Sequence, residues 1–193
     1  MKISQNNNVL TPTQKVKAPS KKQIFISWTK YQRRVESMKQ HFEFDTYYLG
    51  ENSHVNILKL LFYIKKSIRT LILLFKENPD VIWIQLPPTF IIYPTYFFFL
   101  FKGKKPIVLA DCHNAQLREP WIKFPFLLWI INQFDKVIVH NKFIETVADE
   151  LGFNPSNLMT LETRPAIVSE YFIKDSREEN NYILAPCSFN IDE

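Results

Sequence analysis

Residues 106–117 read PIVLADCHNAQL, an apolar run that ends in Asp111, Cys112, His113 and Asn114. A carboxylate two residues from an imidazole is a pairing with chemical use. Histidine titrates near neutrality, so His113 can accept a proton or orient a sugar or phosphate, and Asp111 can tune it. The competing reading is that Asp111 caps a following helix while His113 bonds a backbone carbonyl. Other apolar runs end in polar groups too. QIFISWTKYQRRVES places Trp28 and then Arg33 and Arg34 after its first segment, where a guanidinium fork can meet a phosphate bidentately. A solvated arginine pair opening a helix is the ordinary alternative. VIWIQLPP carries Gln85 near its end, and DKVIVHN ends in His140 and Asn141.

Other chemistries are disfavoured. The 193 residues include 3 glycines, and neither G-x-G-x-x-G nor G-x-x-x-x-G-K-[ST] occurs, so a phosphate cradle of Gly-rich backbone has no material. Cys112 and Cys187 lie far apart and outside any C-x-x-C pair, which argues against a disulfide framework and against a zinc or redox pair. No metal is expected, and the default compartment is reducing and cytoplasmic. A net charge of +5 suits an anionic partner or an ordinary solvated surface, and no nucleic-acid recognition motif accompanies it.

The elements that would position these residues follow from periodicity. Residues 1–22 read as a flexible basic tail. QIFISW (23–28) predicts a strand and TKYQRRVESMKQHF a helix; FEFDTYYLG (42–50) predicts a second strand closed by Gly50. NILKLLFYIKKSIRTLILLFKENPD predicts a long helix closed at Asn78-Pro79. DVIWIQLP is a third strand, PPTFIIYPTYFFFLFKG a helix entered at Pro88 and bent near Pro94, and KPIVLADC a fourth strand. DKVIVHN is a fifth. Asn141 suits the cap of KFIETVADELGF, in which Phe143, Val147 and Leu151 recur every four residues before Gly152. NLMTLE predicts a short last strand. Strands that are apolar throughout and alternate with helices predict a doubly wound, parallel, Rossmann-like α/β sheet, with its ligand crevice at the carboxyl ends of the strands.

The runs FIIYPTYFFFLF and WIKFPFLLWIINQF are too short and too interrupted to span a bilayer, and read as buried or interfacial helices. The helix over 56–76 sets Lys59, Lys65, Lys66 and Arg69 among Leu, Ile and Phe, a composition that suits an anionic membrane surface or an amphipathic helix packed on the sheet.

VIWIQLPPTFIIYPTYFFFLFKGKKPIVLADCHN, FDKVIVHNKFIETVADELG and the arginine pair of WTKYQRRVES together resemble the N-terminal half of GT-B glycosyltransferases, closest to family 4, over about residues 23–193. The resemblance implies a nucleotide-sugar donor as substrate, no tightly bound cofactor, and a glycan or lipid-linked acceptor at the inner face of a membrane. It places His113 at the cleft as a catalytic group with Asp111, and Asn114 in support. It also implies substrate contacts from Arg33 and Arg34, which Trp28, Gln85, His140 and Asn141 are expected to join from the strand ends. SWTKYQRR lacks the Gly-rich turn that many members carry after the first strand. On this reading residues 23–180 form the acceptor-side domain, and NYILAPCSFNIDE (181–193) opens a second domain whose donor-binding groups are missing, so the chain alone is expected to have no appreciable transferase activity. The alternatives are a non-catalytic membrane-recruiting subunit that pairs with a separate catalytic half, and a flavodoxin-like binding module.

Overall fold

The computed structural model describes residues 21–39, 41–50 and 59–162. Six strands form one sheet: β1 (Gln23–Ser27), β2 (Asp45–Tyr48), β3 (Val81–Leu86), β4 (Ile107–Cys112), β5 (Lys136–Val139) and β6 (Leu158–Thr160). Every pairing is parallel and the order is β2-β1-β3-β4-β5-β6. The expected α/β, Rossmann-like sheet is therefore present. The chain runs outward from β1 to β2, then returns past β1 to β3 and continues the other way. Connections on either side of that reversal diverge, which opens the crevice at the carboxyl ends of β1 and β3.

Strand alternation sends side chains to two faces. Ile24, Ile26, Ile82, Ile84, Val108 and Ala110 join one apolar cluster, whereas Phe25, Trp83 and Ile138 join a second. The first face is covered by α2 (Lys59–Glu77), α3 (Ile92–Phe101), α4 (Leu127–Ile131) and α5 (Lys142–Glu150), which bury Leu74, Phe98, Ile130 and Ala148 against it. Among the described residues, the second face is covered by the short α1 (Arg33–Lys39), through Val35 and Met38, and by Phe42 and Phe44, whose rings close on Phe25 and Trp83.

Several element boundaries differ from expectation. Pro94 does not bend a helix. The chain first makes a 3-10 turn over Thr89–Ile91, and α3 begins at Ile92, so Pro94 lies in a first turn where a missing N–H removes no hydrogen bond. In α5 the expected repeat holds at Val147 and Leu151 and fails at Phe143. Ile144, Val147, Ala148 and Leu151 pack inward at helical spacing, and Phe143 is 74% exposed. The ends of α5 are as expected: Asn141 Oδ1 accepts from Ile144 N at 2.9 Å, and Gly152 follows at φ +95°. The second strand spans four residues rather than nine. Gly50 beyond it is required by a close approach, since a Cβ there would lie 2.2 Å from backbone atoms of Thr29 and Lys30. The helix over 56–76 is described from Lys59. The basic tail over 1–20, residues 56–58, Cys187 and the segment 181–193 lie outside the described residues, as does the side chain of Lys59. No helix among the described residues is long and apolar enough to cross a membrane.

Candidate functional site

Ser27 ends β1, and Gln85 and Asp111 stand beside it at the next-to-last positions of β3 and β4. Gln85 is paired with Asp111 in the sheet, and Ser27 Oγ donates to Gln85 Oε1 at 2.6 Å. All three continue the face of Phe25 and Trp83, so the apolar floor of that face ends in a polar row. Helix α1 crosses above it and supplies Arg34, whose Nε lies 3.1 and 3.2 Å from the two Asp111 oxygens and whose NH2 donates to Leu161 O at 2.8 Å. Both partners are buried, with side chains 5% and 0% exposed. A carboxylate so enclosed is tolerable only with a partner of opposite charge.

Two histidines meet Asp111 from the strand ends. His113 Nε2 lies 3.6 Å from Oδ2, and His140 Nε2 lies 3.9 Å from Oδ1. Their rings sit edge to face with centroids 4.5 Å apart. Burial by itself would raise the pKa of Asp111, but His113, Arg34 and His140 outweigh it and hold the carboxyl below the usual range. Burial pushes His140 down to about 4 against the pull of Asp111, which leaves it neutral near pH 7. Burial, with Asp111 adjacent, pushes the Cys112 thiol up, so it is a core residue and not a nucleophile. His113 Nε2 is flanked by the amide nitrogens of Gln32 and Gln85, each 3.4 Å away. Gln85 Oε1 is taken by the Ser27 hydroxyl, so its NH2 faces the ring.

The structure thus brings together Arg34, Asp111, His113, Gln85 and His140. Asn114 follows directly, opening a 3-10 turn (Asn114–Leu117), with its Oδ1 buried and without a hydrogen-bond partner. Asp111 caps no helix: that turn has no side-chain cap. Other expected site residues lie elsewhere. Arg33, next to Arg34, is exposed, because adjacent helical positions are about 100° apart and only one can face the sheet. Trp28, expected at the crevice, is 3% exposed, and its Nε1 donates to Thr70 on α2 at 2.9 Å. Asn141 is a helix cap. Lys66 is expected, with Lys59, Lys65 and Arg69, to face a membrane. Lys65 and Arg69 are exposed, but Lys66 is 9% exposed, donates to Trp28 O at 3.2 Å and lies 5.9 Å from the Trp28 ring centroid. Its spacing puts it on the inner side of α2.

Sequence reading missed Ser27 and Gln32. Ser27 had a signal, a hydroxyl ending an otherwise apolar strand; Gln32 had none. A groove of about 640 Å³ adjoins the site, lined by Arg34, Met38 and Phe42 on one side and by Lys142, Glu145 and Thr160 on the other. Neither His113 nor His140 lines it, so it flanks the titratable cluster and is not its centre.

No family model matches the chain, and no curated protein does. Twelve chains of solved structure match it. One is the S. aureus MnaA-UDP co-structure, at 13% identity and a TM-score of 0.48, over 72% of this chain and 43% of that one. The chain spans less than half the length of that neighbour.

Proposed function

We propose that the chain is the acceptor-side domain of a nucleotide-sugar-dependent glycosyltransferase of GT-B architecture, close to family 4, acting on a glycan or lipid-linked acceptor at a membrane surface. One observation carries the reading: at the carboxyl edge of a parallel sheet, a histidine stands beside a buried, ionised aspartate that a buried arginine fixes in place. In the transfer, the acceptor oxygen bonds to the anomeric carbon, the bond to the nucleoside diphosphate breaks with its electron pair leaving on phosphate, and the hydroxyl proton passes to His113 Nε2. Asp111 offsets the charge the imidazole gains, and Arg34 and Gln85 hold Asp111 and His113 in register. The diphosphate would be stabilised by groups of a second domain.

The membrane part of the reading rests on the outer surface of the first face. Leu61, Ile64, Ile68, Ile72 and Phe75 are exposed along one stripe of α2, with Phe97, Leu100 and Phe101 on α3 and Trp129 on α4. Helix α3 packs against both α2 and α4, so the patch is continuous. Lys65, Arg69 and Lys76 run along its edge. Apolar residues bordered by basic ones suit the interface of an anionic bilayer.

The test is turnover by an enzyme that holds this domain together with its nucleotide-sugar-binding domain. His113→Gln is expected to lower kcat by about a hundredfold or more with an unchanged unfolding midpoint. Unchanged turnover removes His113 from the mechanism.

A second reading has support in the strand order, since β2-β1-β3-β4-β5 is also the flavodoxin-like order, with its ligand at the β1/β3 edge. A binding module of that kind would bind no vesicles.

A further inference from the structure

Three potential ligand atoms converge at the carboxyl edge. His113 Nε2 lies 3.4 Å from the Gln85 amide nitrogen. It faces Asp111 Oδ2 at 3.6 Å. His140 Nε2 faces Asp111 Oδ1 at 3.9 Å, is buried, and has no hydrogen-bond partner. All three ligand atoms lie within 4.8 Å of one another. Asn114 Oδ1, on the next residue of the chain, is a further buried acceptor without a partner. Buried polar atoms are seldom left so.

We propose that Asp111, His113 and His140 form a binding site for a divalent transition-metal ion of the zinc type. Two imidazole nitrogens and one carboxylate oxygen are the donor set of three-ligand zinc sites that keep a position open, and the imidazoles disfavour Mg²⁺ and Ca²⁺, which take oxygen. Bond lengths of about 2.0–2.2 Å at tetrahedral angles put such ligands about 3.4 Å apart, and the three ligand atoms, all within 4.8 Å of one another, would draw together on binding. Arg34 does not block the ion. Each carboxylate oxygen has two lone pairs, and a donor that fixes the orientation of a ligating carboxylate is the usual outer partner of a metal site. The site does not depend on the transferase reading. If both hold, the ion and the acceptor's proton compete for His113 Nε2, and Zn²⁺ is an inhibitor of the sugar chemistry.

The test is calorimetric titration of the chelator-treated chain with Zn²⁺ alone. The expected result is saturable binding of one ion per chain, weakened at least about tenfold by His140→Gln and also by His113→Gln. His113 is partly exposed, so its variant probes the site without emptying the core. The unfolding midpoint of each variant is measured in parallel. Absence of saturable binding overturns the proposal, as does binding that both folded variants leave unchanged, which would place the ion on other histidines such as His41. Because no sugar is present, either result leaves the transferase reading standing.

Discussion

The two faces of the sheet are built by opposite rules. The first is thickly covered: four helices bury an apolar cluster against it and present Ile64, Ile68, Ile72 and Trp129 outward. The second carries a small aromatic cluster under one short helix, and its carboxyl edge gives way to Ser27, Gln85, Asp111 and Arg34. One face is held by area removed from water and can vary by a methylene without losing its character. The other depends on a few polar groups, each of which leaves a buried orphan when its partner is removed. On the proposed function the two faces do separate work, docking on the first and chemistry at the edge of the second.

The sharpest way to break this comparison is at the ion pair. Asp111→Ala leaves the Arg34 guanidinium buried beside a cavity and is expected to cost about 3–5 kcal/mol in denaturant unfolding. Replacing both partners, Arg34→Met with Asp111→Leu, should recover most of that loss, because the penalty belongs to the unpaired charge. A double variant as unstable as the single one would mean that the pair itself, and not the orphan, sets the stability. On the other face, Leu74→Ala, in a fully buried position, should cost about 2–5 kcal/mol through lost transfer energy and a cavity, with no companion substitution needed to explain it. A smaller effect, about 1 kcal/mol, is expected for Asn141→Ala, which removes the acceptor for Ile144 N at the start of α5. The smallest belongs to the outer stripe. Ile68→Glu with Ile72→Glu should change unfolding free energy by no more than about 0.5 kcal/mol per site while abolishing flotation with anionic vesicles. Loss of stability comparable to Leu74→Ala would show that the stripe is part of the core.

Much of the architecture was legible in the sequence for a physical reason. Parallel strands buried on both sides must be apolar throughout, so QIFIS, VIWIQL, IVLADC and KVIV announce themselves, and Asn141 and Gly152 mark the ends of a helix by local chemistry. Rotation about a helix axis is the part that local spacing carries least well. Phe143 and Ile144 each stand at helical spacing from Val147, and the sheet decides for Ile144. The same ambiguity left Arg33 and Arg34 equivalent, and Lys66 equivalent to Lys65, until α1 and α2 were set against the strands. The polar row was half visible. Asp111, His113 and Gln85 stand at strand ends, where a ligand is expected, but the bond from Ser27 to Gln85 joins residues 58 positions apart and depends on register.

The most direct test of the division between faces is a depth measurement with paired nitroxide labels, in a chain carrying Cys187→Ser. One label is attached through Ile68→Cys on the outer stripe of α2, the other through Lys39→Cys at the end of α1 on the opposite face; Cys112 is buried and does not compete. In the presence of vesicles containing anionic lipid, the label at Ile68→Cys is predicted to lose contact with a water-soluble relaxer and gain contact with oxygen dissolved in lipid, while the label at Lys39→Cys stays aqueous. Two labels that both remain aqueous would contradict the account.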